Sequence, residues 1–125
     1  MKIPDNLFEK LSSSGFRSSF RLGRKEASYL EDKGLEVVMQ HAEAFLDERI
    51  APGEIFNDGR QTPMRNHPVF VAQHAAAVCC RKCIEKWHGI RKGHTLTKEE
   101  RKYLLEVIRI WLLNNYPEKP RSSRK

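Results

Sequence analysis

Hydrophobic residues recur at helical spacing along residues 35–50. They form one apolar stripe, while the acidic residues of the segment lie largely off it. The stripe consists of Leu35, Val38, Met39, Ala42, Phe45, Leu46 and Ile50. Pro52 follows, and proline cannot continue a helix. We therefore predict a core helix over residues 35–50.

A second apolar stripe lies near the C-terminus and predicts another long helix. Its members are Tyr103, Leu104, Val107, Ile108, Trp111 and Leu112. Thr97 and Glu100 precede it with the spacing of a capping box, in which each side chain accepts a hydrogen bond from the other's backbone. Shorter helices are predicted over residues 3–11 and 24–33, the latter ended by Gly34.

Residues 16–22 are predicted to form an extended segment. Phe16 and Phe20 share one side of such a segment. Arg17 and Arg21 could contact a phosphate there. The simpler interpretation, which we favour, is a surface linker that its two aromatic residues pin to the core.

The segment from His67 to His88 contains all three cysteines of the chain. We expect a helix to begin at Pro68, because proline suits a first helical turn. Its centre is rich in alanine, which allows close approach of neighbouring helices, so we place this segment at the centre of the protein. The preceding residues, 51–67, show no helical or strand periodicity and predict one long ordered loop that contributes to a site.

These patterns predict a mainly α protein. We expect a compact single-domain helical bundle of four to five helices with one long ordered loop. The domain would span residues 1–116, and residues 117–125 would form a disordered basic tail.

Charge is distributed unevenly along the chain, whose net charge is +7. Residues 26–58 carry nine acids and two bases, a net of −7, whereas residues 60–102 carry ten bases and three acids, a net of +7. A basic half favours a polyanionic partner, of which nucleic acid is the commonest. The expected nucleic-acid-binding residues are Arg81, Lys82, Lys86, Arg91 and Lys92. The alternative is that the two charged halves steady the fold or a dimer.

Cysteine content and hydropathy predict the cellular compartment of the protein. Three cysteines cannot all pair, two of them are adjacent, and no apolar signal segment follows Met1. No run of residues has the length of a membrane span. We expect a reduced, intracellular location, the cytoplasm, with no membrane partner.

The cysteines and histidines of the central segment raise the question of a metal site. Cys80 and Cys83 would lie about 60° apart on one helix, whereas His74 would lie roughly opposite Cys83. A break near Val78, or a ligand from a neighbouring element, would remove this obstacle. The predicted zinc site then combines two thiolates with two imidazoles, from the set Cys80, Cys83, His67, His74 and His88. In this set Cys79 is a spare thiol.

Two other interpretations of the cysteines stay open. Buried cysteines often behave as small hydrophobic residues, which is the simplest interpretation of this run. Alternatively, the basic side chains of Arg81, Lys82 and Lys86 could lower the pKa of a catalytic thiol.

Two further classes of function compete with nucleic-acid binding. The first is an enzyme whose pocket lies between the 51–67 loop and the central helix, with His67 and His74 as its titratable groups. The other pocket residues would be Asp58, Arg60, Gln61, Arg65 and Gln73. The second is a protein-binding inhibitor module that docks through the divided charge.

A resemblance to a known family covers roughly residues 7–113. HPVFVAQH, beginning at His67, and CCRKCIEKWHGI, beginning at Cys79, resemble the signature of a small prokaryotic and phage family of unknown function, HPVFxAQH…CCRxCxxKWHxI. Arg91 stands where that pattern leads us to expect proline. The resemblance implies no activity.

Overall fold

The protein is described by a computed structural model covering residues 1–117, so the predicted tail falls almost entirely outside the described residues. This part of the chain contains seven α-helices. In order they are α1 (Leu7–Ser12), α2 (Gly15–Ser18), α3 (Arg24–Lys33), α4 (Leu35–Phe45), α5 (Pro68–Ala75), α6 (Arg81–His88) and α7 (Lys98–Asn114). The predicted mainly α fold is confirmed. The helix count exceeds the prediction because α2 was not foreseen and the central segment divides into α5 and α6.

Helix α5 lies at the centre of the bundle. It contacts α2, α3, α4 and α7, and seven of its eight residues are buried. The hydrophobic stripes predicted for α4 and α7 face the same core, which includes Leu30, Val38, Leu46, Ile50, Val69, Ala72, Leu104, Ile108 and Leu112. The central position predicted for this segment is thus confirmed for α5.

Both long helices begin and end close to the predicted positions. Helix α4 continues as a π-helical turn, Leu46–Ile50, whose last bond joins the Ala51 amide to the Leu46 carbonyl at 2.8 Å. The capping box of α7 is present, since Thr97 Oγ1 accepts from the Glu100 amide at 3.1 Å and Glu100 Oε1 accepts from the Thr97 amide at 2.9 Å. Sequence-local hydrogen bonds therefore set the helix boundaries here.

Some of the acidic residues of the segment 26–58 form ion pairs with basic residues later in the chain. Glu36 on α4 pairs with Arg109 on α7 at 3.0 Å, and Asp47 pairs with Arg101 at 3.7 Å. The Asp47–Arg101 pair joins the acidic segment, residues 26–58, to the basic segment, residues 60–102, whereas Arg109 lies beyond the basic segment. Because they are exposed, solvent screens them and they add little to stability.

The prediction of an extended segment over residues 16–22 is wrong for its first residues, which belong to α2. Ser14 Oγ accepts from the Arg17 amide at 3.1 Å and so caps the single turn of α2. The turn leaves Phe16 55% exposed, whereas Arg17, which the phosphate interpretation required to be accessible, is only 7% exposed.

The loop over residues 51–67 is ordered and contains no helix or strand. It is held at its start, where the Ala51 carbonyl accepts from the Leu96 amide at 2.8 Å, and in its second half, where Thr62 Oγ1 donates to the Cys79 carbonyl at 2.8 Å. Across residues 1–117, no helix has the length and apolar character needed to cross a membrane.

Candidate metal centre

The central segment bends sharply between α5 and α6. Ala77 has a left-handed backbone with φ 61°, a conformation that costs a non-glycine residue about 1 kcal/mol or more. Gln73 stabilises the bend: its carbonyl accepts from the Val78 amide at 2.7 Å, and its Nε2 donates to the Val78 carbonyl at 3.1 Å. The helix is therefore broken near Val78, where the predicted zinc site requires a break.

The bend brings the three cysteine sulfurs together. Cys79 and Cys80 are in the turn, where Cys80 caps α6 by accepting from the Cys83 amide at 3.4 Å, and Cys83 follows one helical turn later. All three Sγ atoms lie within 4.8 Å of one another, and the Cys80 thiol donates to Cys83 Sγ at 3.1 Å. Cys79 and Cys80 are buried, while Cys83 is partly exposed. Three such sulfurs can hold a metal ion.

Arg17 extends from α2 into this cluster, which we call the thiol cluster (Cys79, Cys80 and Cys83). Its Nη2 donates to Cys83 Sγ at 3.0 Å and its Nη1 to Cys79 Sγ at 3.5 Å. Nη1 also donates to the His74 carbonyl at 2.7 Å. Among residues 1–117 no carboxylate pairs with this guanidinium. A guanidinium stays charged in proteins, and within residues 1–117 its hydrogen bonds go to two sulfurs and one backbone carbonyl.

The ionisation of the cluster follows from these contacts. Hydrogen bonds from the Cys79 and Cys80 thiols, and then from Arg17, hold the pKa of Cys83 far below its ordinary value although burial opposes the shift. Hydrogen bonding with Cys80 and Cys83, together with burial, raises the pKa of Cys79. Burial disfavours a charged Arg17, but its bonds to Cys79 and Cys83 outweigh that effect and its pKa rises. These contacts therefore favour the thiolate form at Cys83, beside Arg17, over the thiolate form at Cys79.

The histidines predicted as metal ligands do not join this group. His88 donates from Nε2 to the Ala76 carbonyl at 2.9 Å and accepts from the Tyr103 hydroxyl at 3.0 Å. His67 caps α5 by accepting from the Val69 amide at 3.0 Å.

His67 also belongs to an aromatic cluster. Its Nε2 lies 3.1 Å from His41 Nδ1, and its ring packs against Tyr29, Phe45 and Phe70. Burial, and secondarily His41, lower the pKa of His67 to about 4. The ring is therefore neutral at neutral pH and serves the packing of α3, α4 and α5.

His74 is linked to the thiol cluster through Arg17, whose Nη1 donates to the His74 carbonyl. Its Nε2 is 3.2 Å from both the Thr62 and the Pro63 carbonyls, and its ring stacks on Phe20 with centroids 5.0 Å apart. Because Nε2 donates, Nδ1 carries the lone pair, and this buried atom has no hydrogen-bond partner among residues 1–117.

The side chains of the proposed enzyme pocket are used mainly in local structure. Asp58 accepts from the Arg81 and Lys82 amides at 2.9 and 3.0 Å, which caps the N-terminus of α6, and from Gln61 Nε2 at 2.8 Å. Gln73 is buried in the bend, and Arg60 and Arg65 are exposed. These contacts do not bring the set together around His67 and His74.

Arg81 was predicted to contact nucleic acid, and the structure corrects this assignment. The residue is 3% exposed, and its guanidinium donates to five backbone carbonyls at 2.9–3.3 Å. The other four predicted basic residues, Lys82, Lys86, Arg91 and Lys92, are exposed. Arg81 therefore joins two loops, and the basic surface consists of the remaining four.

Sequence reasoning missed two members of the site. Cys79 is a spare thiol in the predicted zinc set because two histidines complete that set, although its position next to Cys80 was a signal. Arg17 carried no comparable signal, since an arginine between serines and phenylalanines resembles a surface residue.

The fold and the site together define a small helical domain with a three-cysteine cluster able to hold a metal ion. The chain belongs to the family described as "Domain of unknown function (DUF4186)", which matches residues 5–113. No solved structure matches the chain. Membership of a family of unknown function is thus confirmed, whereas the family's signature and its prokaryotic and phage origin stay predictions.

Proposed function

We propose that this protein binds a thiophilic metal ion, zinc, through the thiolates of Cys79, Cys80 and Cys83. The observation that carries the proposal is the convergence of three sulfurs within 4.8 Å on a capped helical turn. Zinc–sulfur bonds of about 2.3 Å suit sulfurs at such separations, and thiolate ligands disfavour the oxygen-preferring ions.

Charge balance supports the same proposal. A divalent ion and three thiolates have a net charge of −1, which the guanidinium of Arg17 offsets. Its N–H groups already donate to two of the sulfurs, the arrangement by which an outer group orients and tunes metal ligands. Three protein ligands leave a fourth position for water or an exogenous ligand, so the ion would be open to exchange.

Metal analysis of the purified protein tests this proposal. We expect one zinc per chain, and loss of that zinc in Cys79→Ser, Cys80→Ser and Cys83→Ser, because each substitution removes one of three ligands. His67→Asn is the matched control, since asparagine also caps a helix and His67 lies outside the thiol cluster. A metal-free protein that takes up no zinc from a buffered solution would contradict the proposal. Loss of zinc in His67→Asn would indicate the mixed cysteine and histidine set instead.

Polyanion binding is the second candidate function, and a surface observation favours it. Lys82, Lys86, Arg91 and Lys92 are exposed, and within residues 1–117 none of them forms an ion pair with a carboxylate. They lie on α6, the helix that carries Cys83, and on its connection to α7. Unpaired basic side chains are those that release counterions when they contact phosphates.

Salt titration of nucleic-acid binding tests the second candidate. Binding to single- or double-stranded DNA or RNA should weaken steeply with salt, and the double substitution of Arg91 and Lys92 by Gln should reduce the log–log salt slope by about two. The same substitutions at Arg24 and Lys25, an exposed Arg–Lys pair on α3, should leave the slope unchanged. Absence of binding at low salt, or equal effects of the two variants, would refute this candidate.

A further inference from the structure

Cys80 and Cys83 lie closer together than the metal proposal requires. Their sulfurs are 3.1 Å apart, and a disulfide bond is about 2.05 Å long, so an approach of about 1 Å would form one. Cys80 has an extended backbone as the cap of α6, and Cys83 lies on the first turn of that helix. The two residues therefore face each other across a single turn of the chain.

We infer that Cys80 and Cys83 form a redox-active dithiol, which exchanges with low-molecular-weight disulfides and closes to an internal disulfide. We further infer that closure releases the metal ion, a part that rests on the proposed function. The two parts have separate measurements, because disulfide formation is observable in protein that holds no metal.

The exchange proceeds in two balanced steps. In the first, the sulfur of Cys83 attacks an external disulfide RSSR as a thiolate, forms a mixed disulfide and expels RS⁻. In the second, the sulfur of Cys80 attacks Cys83 Sγ in the mixed disulfide, and the second RS⁻ leaves. The protein loses two electrons and two protons, and RSSR becomes two RSH.

Accessibility assigns the first step to Cys83. Cys79 and Cys80 are 6% and 4% exposed, whereas Cys83 is partly exposed and can meet a small disulfide in solution. Nη2 of Arg17 donates to the same sulfur at 3.0 Å and would stabilise negative charge on it. Cys80 is then positioned for the second step, since its thiol already contacts Cys83 Sγ.

Cys79 has a different role in this chemistry. A disulfide between the adjacent residues Cys79 and Cys80 would close a small, strained ring, so the exchange leaves Cys79 as a thiol. After closure the cluster retains one of its three thiolates. A single cysteine cannot hold the ion that three held, and the metal therefore dissociates.

Thiol counting on the full chain tests the dithiol. The protein is incubated with glutathione disulfide, and the remaining thiols are alkylated and counted by intact mass. We expect the wild type to lose two of its three thiols, and Cys79→Ser to lose both of the two thiols that it contains. Cys80→Ser should stop at a mixed disulfide on Cys83, and Cys83→Ser should form no internal disulfide. Three unreacted thiols in the wild type, a stable mixed disulfide there, or failure of Cys79→Ser to close would overturn the inference.

Zinc release, followed with a chromophoric chelator during the same incubation, tests the coupling. In wild-type protein loaded with zinc, release should follow disulfide formation in equal amounts, and reduction should restore binding. Disulfide formation with zinc still bound would overturn the coupling. If the protein binds no zinc at all, the proposed function fails, while the thiol count still decides whether the dithiol exists.

Discussion

Replacing Arg81 with methionine is expected to lower the free energy of unfolding by more than about 3 kcal/mol. The guanidinium donates to the carbonyls of Ile50, Ala51 and Pro52 in one loop and of Arg91 and His94 in another. Each buried carbonyl left without a donor costs about 1–3 kcal/mol, although the loops would recover part of this by admitting water. Urea unfolding monitored by circular dichroism measures the change.

Two further variants sharpen this prediction. Arg81→Lys should recover little stability, because one ammonium group cannot reach both loops as the planar guanidinium does. Lys82→Met removes the same formal charge from the adjacent exposed position and should change stability by no more than about 0.5 kcal/mol. If Arg81→Met were as stable as Lys82→Met, the five hydrogen bonds would not hold the loops together.

Replacing Arg17 with methionine is expected to weaken zinc binding by roughly tenfold to a hundredfold, the usual effect of losing an outer group that supports metal ligands. The variant loses the N–H donors to Cys79 and Cys83 and leaves the net charge of the metal centre without its counter-charge. Competition with a chromophoric chelator measures the affinity.

The position of Arg17, rather than its charge alone, should matter. Arg17→Lys keeps the charge but has a less suitable donor geometry, so an intermediate affinity is expected. Arg21→Met removes an exposed positive charge four residues away and should leave the affinity unchanged. An Arg17→Met protein that binds zinc as tightly as the wild type would show that the cluster needs no counter-charge.

The mainly α class and most helix boundaries were predictable because they depend on interactions between residues close in sequence. The stripes of α4 and α7 follow from the helical period, and the Thr97 and Glu100 cap joins residues three apart. The wrong prediction at α2 also concerns a local interaction. Ser14 caps that turn, but the prediction was based on Phe16 and Phe20 instead.

The sequence predicted the break between α5 and α6 only as one of two alternatives, the other being a metal ligand from a neighbouring element. Neither glycine nor proline marks it, and Ala77 adopts a left-handed backbone that alanine avoids by itself. Gln73 stabilises the bend through two hydrogen bonds to Val78, and both residues are fully enclosed by the bundle. The conformation is therefore a result of packing.

The sequence by itself determined that two cysteines three residues apart lie in the central segment, and that the chain folds as helices around it. The tertiary structure alone decided which side chains surround those sulfurs. Arg17 reaches Cys79 and Cys83 across 62 and 66 residues of chain, and Arg81 is buried among carbonyls of two loops. The reason is that a buried arginine needs acceptors for its N–H groups, which here are sulfurs and backbone carbonyls, and no local pattern encodes such distant partners.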